Sequence, residues 1–235
     1  MNLSTQPVQS LSLSSGFLTA ADIHMILSLQ ALVFQSLDGL EKKYIVPKDA
    51  AKLESHFQKG GKAIGLFDDQ QLVGQCILHL PINENDKPGV MVSPLSDQEK
   101  AASSVIQGMV VAPHYQGQNL AHFLVHVWKQ AMVDLEKPHI LSEVVVSNIK
   151  SLAVFLNMGL QIKVCTYDPE DEVFLYILHA NLHKEQGIVS SLPTAIKFVD
   201  YTDINTIKSM LEDGYIGHCW KKGNPSQLGF SLELP

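Results

Sequence analysis

The sequence predicts an α/β protein: a mixed β-sheet flanked by helices, followed by a small C-terminal β-α-β-β extension. Three observations carry this expectation. Short strand-like runs alternate with amphipathic helical ones as far as Leu182. Leu120, Phe123, Leu124, Val127, Trp128, Ala131, Met132 and Leu135 form one continuous apolar stripe at helical spacing, as expected of a helix lying on a sheet. The 235 residues are 46% hydrophobic and 17% charged, too apolar for a disordered chain, and at ~150 residues per domain they supply one full core plus a smaller piece.

In chain order, Ser10 to Ser14 reads as a short strand, and Thr19 caps a helix whose dipole favours Asp22. Ile23, Ile26, Leu27, Gln30, Phe34 and Leu37 carry that helix. A second helix after Pro47 presents Leu53 and Phe57 and stops at Gly60-Gly61, where left-handed backbone is accessible. Ala63 to Phe67 and Leu72 to Leu80 read as a hairpin around Asp68 to Gln71, and Pro81 to about Ser103 as a long loop. A strand from Val105 to Val111 leads into the striped helix. Then come a strand over Ile140 to Val146, a short helix from Ser151 to Met158 closed by Gly159, and strands over Gln161 to Tyr167 and Val173 to Ala180. The expected core, residues 1–182, is βααβββαβαββ.

Residues 183–235 carry their own pattern: a strand over Ala195 to Val199, a helix from Asp203 to Asp213 ended by Gly214, and strands around Ile216 to Trp220 and Leu228 to Leu232. A unit this small cannot hide Ile196, Phe198, Ile207, Met210, Leu211, Trp220, Leu228, Phe230 and Leu232 alone. It is expected to dock on the core's open sheet edge, within the chain or across a homodimer.

Several classes are excluded. Seventeen Lys plus Arg against 24 Asp plus Glu give a net charge of −7, so the attraction that nucleic-acid binding requires is missing. Cys76, Cys165 and Cys219 lie far apart without C-x-x-C spacing, which suggests neither a disulfide framework nor a zinc site and points to a reducing cytoplasm. Phe17 to Leu37 is interrupted by Asp22, His24, Gln30 and Gln35, so it is no membrane span of ~20 apolar residues. No targeting signal is evident in the polar start, Met1 to Ser15.

The chemistry is concentrated in Met109-Val110-Val111-Ala112-Pro113-His114-Tyr115-Gln116-Gly117-Gln118-Asn119-Leu120-Ala121-His122. Here a strand enters a Gly- and amide-rich turn, and the turn enters a helix whose first N–H groups face back. Unpaired N–H groups plus the helix dipole make an anion site suited to a phosphorylated cofactor. An ordinary tight βα loop would read the same way.

In context, this stretch resembles the GNAT superfamily of acyl-CoA-dependent N-acyltransferases. The signature V-x-P-x-[YF]-[QR]-x-x-G-x-[GA] matches at Val111, Pro113, Tyr115, Gln116 and Ala121, with Asn119 in place of the central Gly, a residue that tolerates left-handed backbone. A second block, Glu143-Val144-Val145-Val146-Ser147-Asn148 with Ser151, Phe155 and Gly159-Leu160, follows in order. The resemblance implies a splayed sheet and acetyl-CoA as co-substrate, with no metal. Met109, Val110 and Val111 would then bond the pantetheine arm, and Gln116, Gly117, Gln118, Asn119, Leu120, Ala121 and His122 would hold the pyrophosphate. Asn148 and Ser151 would lie beside the pantetheine and thioester, with Phe155 at the thioester end. Asn148 as a plain helix cap and Phe155 as plain core are alternatives.

The implied activity is acetyl transfer to a primary amine, on a small molecule or a protein, through a ternary complex. Two departures bear on it. Gln107 occupies the position where family members often carry a Glu general base, and an amide cannot take a proton. Phe155 lacks the hydroxyl with which many members protonate the leaving thiolate. Glu143 is a candidate base, though the matching family Glu is often structural. A non-catalytic acyl-CoA-binding or sensor module is the alternative function. His122 and His126 lack the Glu of H-E-x-x-H, and the acidic turn Tyr167 to Asp171 is either solvated or a site for a cationic amine.

Overall fold

In the computed structural model, which describes residues 12–81, 95–185 and 195–232, ten strands form one open mixed sheet. They are β1 (Leu13–Leu18), β2 (Lys62–Asp68), β3 (Gln71–His79), β4 (Ser103–Val111), β5 (His139–Val145), β6 (Gln161–Asp168), β7 (Val173–Asn181), β8 (Lys197–Asp200), β9 (Tyr215–Lys221) and β10 (Gln227–Leu232). Their spatial order is β1-β2-β3-β4-β5-β7-β6-β9-β10-β8. Only β4 and β5 pair in parallel. The helices are α1 (Ile23–Ser36), α2 (Ala50–Gln58), α3 (Asp97–Ala101), α4 (Leu120–Asp134), α5 (Ile149–Asn157), α6 (Leu182–Glu185) and α7 (Ile204–Glu212).

Local chemistry explains the boundaries. Thr19 donates its N–H and its hydroxyl to the Asp22 carboxylate at 2.8 and 2.9 Å, which clamps the entry to α1. Asp49 caps α2 by accepting from Lys52 N–H at 2.8 Å, and Gly60, at φ +83°, lets the chain leave it. On one face of the sheet α1 and α2 cover Leu18, Ala63, Ile77 and Val110. On the other, α4 and α5 close a larger core around Trp128, Leu124, Leu152 and Phe155.

The structure corrects several expectations. The buried line of α1 is Ile23, Ile26, Leu29, Gln30 and Val33: Ile23, Ile26 and Gln30 are as anticipated, while Leu29 and Val33 are buried where Leu27, Phe34 and Leu37 were expected. Phe34 instead turns outward, under the Lys42 ammonium at 5.3 Å. In α4 only the i, i+4 row Leu120, Leu124, Trp128 and Met132, with Val125, is buried, while Phe123 and Leu135 stay exposed because a surface helix buries one stripe and leaves its flanks to solvent. The loop expected from Pro81 to Ser103 contains α3, started by Ser96, whose N–H and hydroxyl donate to the Glu99 carboxylate; its residues 82–94 lie outside the described residues, as does the start of the expected Ser10 strand. Trp128 is fully buried and donates its indole N–H to Ser104 Oγ at 3.1 Å. Trp128→Ala should therefore cost about 3–5 kcal/mol, read as a lowered denaturant midpoint.

Residues 195–232 continue the sheet. β9 runs beside β6, with Ile162 opposite Gly217. A Cβ at Gly217 would meet Ile162 and Phe230 side chains at 3.0 Å, so any larger residue there would have to push them back by a few tenths of an ångström. Ile207, Met210, Leu228 and Phe230 join the Trp128 core, and Tyr176 donates its hydroxyl to Tyr201 O at 3.1 Å. Ile196, Phe198 and Leu232 remain exposed.

Candidate active site

The parallel pair β4–β5 holds together only from Ser103 opposite His139 to Ile106 opposite Ser142. Beyond that point β4 follows β3 as far as Val111, whereas β5 follows β7 as far as Val145. The two strands therefore diverge. A bulge helps: Ile77 pairs with Gly108 and Leu78 with Ile106, so Gln107 is an extra residue that bends β4. A cavity of about 760 Å³ fills the gap.

Its walls can be built residue by residue. Ala112 donates its N–H to Val73 O at 2.8 Å. By the alternation of an antiparallel ladder, the main-chain groups of Met109 and Val111 then face away from β3, toward the gap. Val111 O already accepts from the Gln116 amide at 3.1 Å, which leaves its N–H and the Met109 groups to face the cavity. The following turn bends through Gly117 at φ +77° and Asn119 at φ +61°, the left-handed conformation expected of the Asn that replaces glycine. Asn119 makes no side-chain cap to α4, and the first N–H groups of this helix, at Leu120, Ala121 and His122, border the cavity. Tyr115 holds the turn in place by donating its hydroxyl to Asp68 at 2.9 Å, and that bond, foremost, raises its pKa.

The opposite wall comes from β5 and α5. Ser142 is fully buried, lines the cavity, and its Oγ has no hydrogen-bond partner among the described residues. Glu143, next along β5, is half-buried, with Oε1 shielded from solvent. Asn148 Oδ1 accepts from Ser151 N–H at 3.2 Å, so Asn148 caps α5 and borders the cavity at once. Phe155, 3% exposed, is both core and cavity wall.

One wall had no sequence signal. The connection between α1 and α2 brings Glu41, Tyr44 and Ile45 to the cavity. Tyr44 donates its hydroxyl to Ser147 O at 3.0 Å, and the Lys150 ammonium lies 2.7 Å from Glu41, which raises the lysine's pKa. Both contacts join segments more than a hundred residues apart in sequence, beyond the reach of any local pattern. Ser142, likewise, reads in sequence as an ordinary strand residue.

Other anticipated groups fall elsewhere. Gln118 lies outside the cavity wall and donates its amide to His114 O. His126 is exposed, while His122 borders the cavity. Asp168 spends a carboxylate oxygen on Glu170 N–H within the acidic turn, away from the cavity. Burial pushes the Cys76 thiol up to about 12 and Cys165 up to about 11, so neither offers a thiolate. Among the described residues no cluster of three or more His, Cys, Asp or Glu side chains could hold a metal ion, and no helix is long and apolar enough to cross a membrane.

The sheet is splayed between a parallel pair, and a helix N-terminus closes one end of the gap. Residues 28–160 match the model of the acetyltransferase (GNAT) family. The chain belongs to that family. Its fold is similar to the ribosomal-protein-S18-alanine N-acetyltransferase of Escherichia coli, at 12% identity and a TM-score of 0.53 over 72% of this chain and 94% of that one. It is equally similar to YncA of Salmonella typhimurium, solved with its cofactor acetyl-CoA, at 13% identity and a TM-score of 0.53, covering 72% and 94%. An N-acetyltransferase of Staphylococcus aureus Mu50 gives 10% identity and 0.54, covering 72% and 98%. No curated protein sequence matches the chain.

Proposed function

We propose that the protein transfers an acetyl group from acetyl-CoA to a primary amine through a ternary complex. The observation that carries this is the single cavity joining strand main-chain groups on β4 to the free N–H groups that open α4. The residues fit the cofactor. The Met109 main chain and the Val111 N–H match the amides of a strand-like arm, the unsatisfied Ser142 hydroxyl can bond the same arm, and the α4 N-terminus with the Gly117 turn suits a pyrophosphate. When bound, acetyl-CoA supplies an acetyl group activated as a thioester.

The chain's own residues then position and deprotonate the amine. Glu143 is the proton acceptor in this reading, because its carboxylate sits on the β5 wall of the cavity, next to Ser142 and across from β4. Gln107 cannot ionise and serves only as a hydrogen-bonding wall. Proximity and hydrogen bonding to the developing oxyanion supply the rest of the acceleration. The three free thiols suit a cytoplasmic setting. The neutral Gln107 and the hydroxyl-free Phe155 favour a second reading, a module that binds acyl-CoA without turnover.

Calorimetry with CoA tests the binding step. Gly117→Val forces a β-branched residue into left-handed backbone at φ +77°, although no atom lies within 4 Å of its Cβ. CoA affinity should fall about tenfold or more, with at most about 1–2 kcal/mol lost from stability. No saturable binding by the unaltered chain would end the proposal, and binding without release of CoA from acetyl-CoA in the presence of any amine would favour the second reading.

A further inference from the structure

Behind the bulge lies a second, smaller recess of about 50 Å³, bounded by α1, residues 44–48 and the strands β3 and β4. It shares Tyr44, Ile45 and residues 107–110 with the main cavity. Three neutral amides line it: Gln30, Gln75 and Gln107. Gln75 is 1% exposed, and its Oε1 has no hydrogen-bond partner among the described residues. Gln30 is 6% exposed and accepts from Lys48 N–H at 3.0 Å through Oε1, which fixes its amide with the NH₂ end as donor. At the bulge, Gly108 has open space where a side chain would begin, with no atom within 4 Å of a Cβ.

An unsatisfied carbonyl oxygen held under a helix costs about 1–3 kcal/mol. A fold that keeps it in the wall of a recess that Gln30 also lines presents one acceptor and one donor to whatever enters. No carboxylate lines the recess, and Lys48 is its one charged wall residue, so an ammonium head would lose its hydration beside a like charge, and a carboxylate head, though drawn to the lysine, would set its lone pairs against the buried Gln75 Oε1. The volume is that of one or two water molecules, enough for a terminal functional group and no more.

We propose that this recess is a specificity subsite for the acceptor. It takes an uncharged head that both donates and accepts hydrogen bonds, a carboxamide or a hydroxyl, carried by the amine to be acetylated. Gln75 Oε1 accepts from the head, and the Gln30 amide donates to it. The assignment rests on the acetyl-transfer reading above and adds the chemistry of the acceptor.

Two measurements test it. In the CoA complex of the full chain, propionamide is titrated against propionate and propylammonium while the Gln75 side-chain amide is followed by NMR. Propionamide should bind saturably and at least tenfold tighter than either ion. Gln75→Leu, which replaces the unsatisfied amide by an apolar group of similar size, should remove that preference without lowering the unfolding midpoint. Absence of propionamide binding, equal binding of propionate, or an unchanged preference in Gln75→Leu would overturn the subsite. Separately, acetyl transfer to β-alaninamide should exceed that to β-alanine and butylamine by at least tenfold in kcat/KM. No turnover with any amine would instead overturn the acetyl-transfer reading, a result distinguishable from failure of the binding arm.

Discussion

Glu143→Gln is expected to lower kcat/KM for acetyl transfer by about 10²–10⁴-fold, the range for removal of a general base, while CoA affinity stays unchanged. The substitution keeps the shape and hydrogen-bonding capacity of the side chain at its half-buried place on β5, so the loss would report the missing proton acceptor. The pH profile supplies the second readout. A base must be ionised to act, so wild-type activity should fall as the pH drops through the carboxylate's titration, and the variant should lose that limb. Activity within about tenfold of wild type, with the acid limb intact, would assign the proton to the amine's own ionisation or to a water relay.

Truncation after Leu182 should abolish soluble folded protein. The segment that would be lost covers β6 and supplies Ile207, Met210, Leu228 and Phe230 to the same core as Trp128 and Ile162. At about 1.5–3 kcal/mol for each large apolar side chain, these burials rival the entire stability of an ordinary domain, about 5–15 kcal/mol. The cut would also bare the edge of β6, with Ile162 and Cys165 beside unpaired main-chain groups. Light scattering and circular dichroism of the fragment decide the matter. A monodisperse, folded fragment with unchanged CoA affinity would show residues 195–232 to be an appendage.

The succession of elements along the chain from β1 to β7 was legible, α3 apart, because each carries a local mark: the Asp69 turn, the Gly159 stop at φ +86°, and the apolar row of α4. The β4–turn–α4 unit was legible for the same reason, since strand, turn and helix are contiguous in sequence. α3 was missed although Ser96 and Glu99 have capping-box spacing, because five residues are too few to show a helical period. The change in the lower half of the α1 stripe comes from packing: Leu27 and Leu29 are equally apolar, and the core shared with α2, β2, β3 and β4 buries Leu29 fully and Leu27 in part. Tyr44, Glu41 and Gln75 were invisible for a deeper reason. Their significance lies in what faces them across the fold, namely Ser147, Lys150 and Gln30, and no spacing along the chain encodes such an encounter.

The pair of contacts from Tyr44 to Ser147 and from Lys150 to Glu41 ties together two lips of the cavity, the α1–α2 connection and the junction of β5 with α5. A long cofactor arm cannot be laid sideways into a groove whose lips are tied. It enters while they are parted, or threads from an end. The Lys150 side chain is 85% exposed, and an ion pair so open to water contributes about 0–1 kcal/mol, so the lips part readily. Salt screens such a pair within a Debye length of about 8 Å at physiological ionic strength. For CoA bound as proposed, the residence time should then depend on salt in a way that affinity for the phosphate end alone would not give.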